Sequence, residues 1–171
     1  KFISYRNLCF LPKERFIHDD LGWNFRLTNI QAAIGLAQLE RIDNIIERKR
    51  QIGRFYHEAF KKFEILRCPL THTKYADNIY WVYGVVLKDT ADINTEEATK
   101  LLADHGVGTR PFFYPLHKQP VLKKIGFFKN ENYPVAEKIS QKGFYLPSGL
   151  ALTSDQIHTV CDIIKKIIIK K

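Results

Sequence analysis

The sequence predicts an α/β module carried on a long helix. Three observations lead there. An apolar period of helical spacing is sustained from about residue 28 to residue 63. Short stretches rich in β-branched and aromatic residues follow it. Capped helices then alternate with those stretches to the C-terminus, the pattern of a mixed module. The chain has 171 residues, enough for one domain or slightly more, and 45% hydrophobic residues with 13% aromatics are enough for a sizeable core.

Residues 1–21 carry no sustained period and read as a connecting segment. Thr28 and Gln31 then have the spacing of a capping box, opening a helix. Ile30, Ala33, Ile34, Ala37, Ile42, Ile45 and Ile46 recur at helical intervals, and Ile52, Phe55, Tyr56, Ala59, Phe60 and Phe63 resume the pattern. The stretch is expected to run to about residue 63, with a kink near Gly53. "NIYWVYGVVL" (78–87) predicts a buried strand, and "NTEEATKLLADHG" (94–106) a helix capped at Asn94 or Thr95 and stopped by Gly106. "VGTRPFF" (107–113) predicts a strand whose Pro111 confines it to an edge. Pro134 opens a helix that Gly143 ends, "FYLPSG" makes a short strand and turn, and Thr153 with Gln156 caps a final helix reaching the end.

Several functional classes recede on composition. No apolar window of about eighteen residues occurs, so no membrane partner is expected, and "KFISYRNLCF" lacks the cleavage site of a signal peptide. Cys9, Cys68 and Cys161 are far apart and odd in number, predicting buried thiols in a reducing compartment and no metal site. The net charge of +9 is spread along the chain without a basic stripe, so nucleic acid is not the expected partner. "KKIIIKK" at residues 165–171 reads as a solvated helix end, although a basic protein also suits a small anionic substrate.

Two stretches carry polar groups in telling places. In "GWNFRLTNIQAAIGLAQLE" (22–40), Asn24 and Arg26 precede a helix cap, where unpaired N–H groups and an arginine fork attract phosphate. The alternative is that Asn24 holds a turn after Gly22 and Arg26 pairs with Asp19 or Asp20. Ala32, Ala33, Gly35 and Ala37 permit close helix approach at an interface or in a core. In "GTRPFFYPLHKQP" (108–120), Arg110, Tyr114 and His117 stand among prolines and aromatics, as in a pocket with apolar walls and a few convergent polar groups. A core strand followed by a proline-rich loop fits the same residues. Neither a glycine-rich phosphate loop nor a nucleophile elbow is present. His105 reads as a helix-end partner, His57 and His158 as exposed, and Glu40, Glu47, Glu96 and Glu97 as surface charges.

"LGWNFRLTNIQAAIGLAQLERID", "GVGTRPFFYPLHKQP" and "KGFYLPSGLALTSDQI", in that order, resemble the C-terminal half of the DegT/DnrJ/EryC1/StrS sugar aminotransferases. Within that family the likeness is closest to perosamine-synthase-type enzymes. The resemblance implies the C-terminal part of the aspartate-aminotransferase fold (fold type I), a pyridoxal phosphate cofactor and a homodimer, and a cytoplasmic setting is expected beside it. It implies amino transfer from glutamate to a nucleotide-linked 4-keto-6-deoxy sugar. Residues 1–27 would be a remnant of the large cofactor-binding domain, 28–63 the bridging helix and 64–171 the small domain. Asn24 matches the asparagine that reaches the cofactor phosphate across the dimer in relatives, and Arg26 the arginine after it. Arg110, Tyr114 and His117 fall where relatives face the nucleotide sugar. The lysine of the Schiff base and the aspartate on the pyridine nitrogen have no counterpart in these residues, so the chain is expected to be inactive alone. A free-standing nucleotide-sugar binding or dimerisation module is the alternative, and a nucleic-acid-binding domain ranks last.

Overall fold

The computed structural model describes all residues except Pro12, Arg15, Asp19, Lys170 and Lys171 and the side chain of Ile169. The chain divides into two compact units, Lys1–Ile42 and Asp43–Lys171.

The first unit begins with a short helix, α1 (Phe2–Arg6), within the expected connecting segment. Its turn continues through Leu8 and Cys9, both in the left-handed region at φ 62° and 52°. The backbone then returns, so that Asn7 bridges Asn24 and Phe10 bridges His18. Gly22 is needed at this crossing, because a Cβ there would lie 2.6 Å from the Cys9 nitrogen. Helix α2 (Asn29–Leu39) follows, with the predicted capping box: Thr28 Oγ1 accepts from Gln31 N, and Gln31 Oε1 accepts from Thr28 N. No residue of α2 is buried.

The expected single helix over 28–63 is broken at Glu40 and Arg41, where the last turn of α2 tightens and Arg41 N donates to Gln38 O. Helix α3 (Ile42–Phe60) then restarts with Asp43 in its first turn, where an acidic side chain suits the helix dipole. Gly53 lies within the unbroken run of α3. It is buried mid-helix, and a Cβ there would lie 2.4 Å from the Tyr80 ring, so the glycine makes room for an aromatic neighbour.

The second unit is built on a four-stranded antiparallel sheet, in the order β1 (Leu66–Arg67), β2 (Tyr83–Leu87), β4 (Gly143–Leu146), β3 (Arg110–Pro111). Pro111 sits on the edge strand, as predicted. The strand expected over 78–87 starts only at Tyr83, since Asn78 accepts from Tyr80 N at 2.7 Å and Tyr80 takes φ 51°. Strand β3 covers only the middle of the predicted 107–113 run.

Alternate residues Tyr83, Val85 and Leu87 of β2, with Phe144 and Leu146 of β4, face one core. Against them lie Ile52, Tyr56 and Phe60 of α3, Ala98 and Leu102 of α4 (Thr95–Asp104), and Ile157, Val160 and Ile164 of α7 (Ser154–Ile164). Helix α4 is capped by Asn94, and Gly106 beyond it takes φ 77°. Helix α6 (Pro134–Lys142) passes at Gly143 directly into β4, without a loop. A short helix, α5 (Pro120–Lys124), lies in the proline-rich stretch, and α7 continues as a π-helical turn at Lys165–Ile169. Lys170 and Lys171, part of the expected basic end, lie outside the described residues.

Candidate functional site

The stretch bearing Asn24 and Arg26 is laid beside the end of α1. Trp23 N donates to Tyr5 O at 3.0 Å, Phe25 N to Arg6 O at 2.9 Å, and Leu8 N to Trp23 O at 3.2 Å. This pairing spaces the two candidate side chains. Asn24 Oδ1 accepts from Arg26 Nε at 3.0 Å and from Arg26 N at 3.3 Å. The asparagine therefore does hold a local turn, and it also orients the guanidinium. Both residues are exposed. The bond to Nε leaves the Nη fork of Arg26 and the amide nitrogen of Asn24 as donors just ahead of the Thr28 cap. Asp20 accepts instead from Tyr5 Oη at 3.3 Å and from Leu21 N, and Asp19 lies outside the described residues.

Arg110, Tyr114 and His117 belong to the second unit. Arg110 is exposed on β3, opposite Tyr145 of β4. After Pro111 the Phe112 ring turns down onto the sheet, where Gly84 and Gly143 leave space for it. A Cβ on either would stand 2.7 or 2.5 Å from that ring. Phe112 stacks on Tyr145 with centroids 4.6 Å apart, and Phe113 meets the same ring edge-on at 6.2 Å. Phe113 and Tyr114 are exposed. The result is an aromatic platform beside an arginine.

His117 is placed differently. It is only 5% exposed, in a single 3₁₀ turn (Leu116–Lys118), and its Nε2 lies 2.8 Å from Glu137 Oε1 on α6. The Tyr133 ring meets the imidazole nearly edge-on at 4.9 Å. Lys118 Nζ bonds the other carboxylate oxygen of Glu137. Lys118 first, and then His117, hold the Glu137 carboxyl down at about 2. Among the described residues no hydrogen bond links Arg110, Tyr114 and His117 to one another.

Helix α3 braces the loop after β4. Tyr56 Oη donates to Pro147 O at 2.8 Å, Lys49 Nζ to Ser148 O at 2.6 Å, and Arg48 to Leu152 O. Lys49 also donates to Trp81 O at 2.8 Å, tying the turn before β2 to the same loop. Burial lowers the Lys49 ammonium and raises the Tyr56 phenol. Trp81 itself is 67% exposed.

Two other histidines have local partners. His105 Nδ1 lies 2.9 Å from Leu101 O at the end of α4, and exposed His158 meets Phe55 edge-on. His57 departs from expectation, being half-buried with a buried Nδ1. Cys9 and Cys161 are buried and Cys68 half-buried, all as free thiols, and burial pushes Cys161 up to about 12. Among the described residues no cluster of His, Cys, Asp and Glu suits a metal ion, and no helix is long and apolar enough to cross a membrane.

A family model for the DegT/DnrJ/EryC1/StrS aminotransferase family matches residues 1–165. The chain belongs to that family. A GDP-perosamine synthase from Vibrio cholerae is 31% identical over 168 residues, covering 96% of this chain and 44% of that protein. Another from Escherichia coli O157:H7 is 36% identical over 152 residues, covering 89% and 39%. The chain thus spans about two fifths of the length of the curated relatives it matches. The solved aminotransferase TlmJ from Streptoalloteichus hindustanus superposes with a TM-score of 0.81 at 23% identity, over 95% of this chain and 42% of that one. The fold is therefore that of the C-terminal portion of a sugar aminotransferase of fold type I, mixed α/β as the sequence predicts.

Sequence reasoning in this family member named Asn24 and Arg26 together, and the structure bonds them. It missed Glu137, which lies 20 residues from His117. It also missed Lys49 and Tyr56, which look like ordinary surface and core positions of a helix. Only spatial proximity marks these three.

Proposed function

We propose that this chain is the C-terminal portion of a pyridoxal-phosphate-dependent aminotransferase that moves an amino group from glutamate to a nucleotide-linked 4-keto-6-deoxy sugar, of perosamine type. The observation that carries this reading is the match over residues 1–165 together with GDP-perosamine synthases at 31% and 36% identity. Residues 1–27 would belong to the larger cofactor-binding domain, the helices of 28–63 would bridge, and 64–171 would form the small domain. The enzyme would work as a homodimer, and three free thiols are in keeping with a cytoplasmic setting.

The residues present fit a phosphate. The Arg26 fork and the Asn24 amide are exposed donors fixed relative to each other by a 3.0 Å bond, at the entrance to a capped helix. When bound, the cofactor supplies an electron sink for amino transfer. This chain would contribute phosphate contacts through Asn24 and Arg26. Arg110 would meet the substrate diphosphate, while Tyr114 and His117 would take sugar or nucleotide hydroxyl groups. Alone, the chain would not catalyse.

Two measurements test this. Pyridoxal phosphate trapped with borohydride and mapped by peptide is expected to give scattered, substoichiometric labelling. Full labelling of one lysine would overturn the division of labour. NMR of the chain with GDP-mannose is expected to move the signals of Arg110, Tyr114 and His117. No movement at any of them would overturn the substrate assignment.

A further inference from the structure

We propose that Glu137 is a positioning residue for His117: its carboxylate holds the imidazole as the Nε2–H tautomer, so that Nδ1 is presented as an acceptor to a hydroxyl group of a bound nucleotide sugar. This rests on the reading of His117 as a substrate contact.

The argument starts from the carboxylate. Glu137 accepts from Lys118 at one oxygen and stands 2.8 Å from His117 Nε2 at the other. With its carboxyl held at about 2, Glu137 is ionised at neutral pH and can only accept hydrogen bonds. A bond of 2.8 Å therefore requires the proton on Nε2, which leaves Nδ1 of the neutral ring with a lone pair.

The ring is also held in place. Tyr133 and Glu137 are four residues apart at the start of α6, so they present neighbouring side chains. One closes on the edge of the imidazole at 4.9 Å and the other bonds its nitrogen. The Tyr133 hydroxyl is engaged elsewhere, donating to Glu131 at 2.7 Å. At 5% exposure the imidazole has little freedom to turn. No partner for Nδ1 occurs among the described residues. An oriented acceptor in a nearly dry setting discriminates hydroxyl donors more strongly than one in water.

Long-range ¹H–¹⁵N NMR of the imidazoles in the 171-residue chain tests the proposal, at a pH about two units above the ordinary imidazole value of about 6.5. His117 is expected as the Nε2–H tautomer with a slowly exchanging proton. Glu137→Gln, whose amide can donate as well as accept, is expected to give a mixture while far-UV dichroism is unchanged. GDP-mannose should shift Nδ1 in the native chain and bind on the order of tenfold more weakly to the variant, the size of one hydrogen bond. An Nδ1–H tautomer, or an unaltered tautomer in Glu137→Gln, overturns the proposal. Equal binding and equal Nδ1 shifts in both chains would make Glu137 merely structural and overturn it, leaving the substrate reading intact. No Nδ1 shift in either chain removes the reading of His117 as a substrate contact and the proposal with it, whatever the tautomer.

Discussion

Gly53 and Tyr80 form a matched pair: the helix omits a side chain where the ring lies, 2.4 Å from where a Cβ would be. Tyr80 is held there in the left-handed region, at φ 51°, and stacks on Tyr83 with centroids 5.8 Å apart. A tyrosine in that conformation is strained, by about 1–3 kcal/mol, and the packing must offset it. Gly53→Ala should therefore destabilise the chain by about 1–3 kcal/mol through overpacking, despite the better helix propensity of alanine. In a Tyr80→Ala background the same change should be neutral or stabilising. Urea unfolding of the two single variants and the double variant measures the coupling, and additive effects would sink the pairing.

Lys49 joins two loops through the carbonyls of Trp81 and Ser148. Replacing it with methionine keeps the stem but leaves both acceptors without their donor, which should cost about 1–3 kcal/mol. The Trp81 turn should also loosen. In a Trp23→Phe background, the single remaining tryptophan should show faster acrylamide quenching in Lys49→Met than in the parent. Identical quenching would mean that the Lys49 bond does not hold the turn.

Acid should weaken the Glu137 cluster. The folded-state carboxyl titrates at about 2, below its ordinary 4.5, so between those values the unfolded chain binds more protons than the folded one. Its stabilising contribution is complete above about 4.5 and is lost as the pH falls towards 2. Asp89, lowered from 3.8 to about 2 by Lys138 and Lys142, behaves in the same sense over its own window. Asp89 is well exposed, so added salt should erase its share while sparing more of that of Glu137. The acid slope of the urea midpoint should flatten in Glu137→Gln at high salt, and an unchanged slope would contradict the assignment.

Helix α2 exposes Ile30, Ile34, Leu36 and Leu39, each by more than half. Apolar exposure on more than one side of a helix invites association. The isolated chain should self-associate in light scattering at micromolar concentration, and an Ile30→Asp, Ile34→Asp double variant should shift it towards monomer without altering its unfolding midpoint. A native chain that stays monomeric would mean that the exposed leucines and isoleucines do not drive association.

Much of this architecture was legible in the sequence, where local chemistry decides it. Both capping boxes, the Asn94 cap, the proline at the edge strand and the Pro134 start are dictated by a few adjacent residues. The break at Glu40 and Arg41 was not legible, because the apolar period continues across it and no glycine or proline marks it. The role of Gly53 was hidden for another reason: the ring it makes room for lies 27 residues away in sequence. The site divided in the same way. Asn24 and Arg26 are two residues apart and were found together, whereas the partners of His117 and the loop bonds of Lys49 arise only on folding.

The sheet ends on both sides in strands of two residues, Leu66–Arg67 and Arg110–Pro111. One edge carries an imino acid that cannot donate a backbone bond, and the other is too brief to template a neighbour. Lateral growth of the sheet is thereby blocked at both margins. Copies of this chain that meet in solution have side chains to offer each other and almost no main chain, so their assemblies should be dispersible by mild detergent and should not mature into fibres.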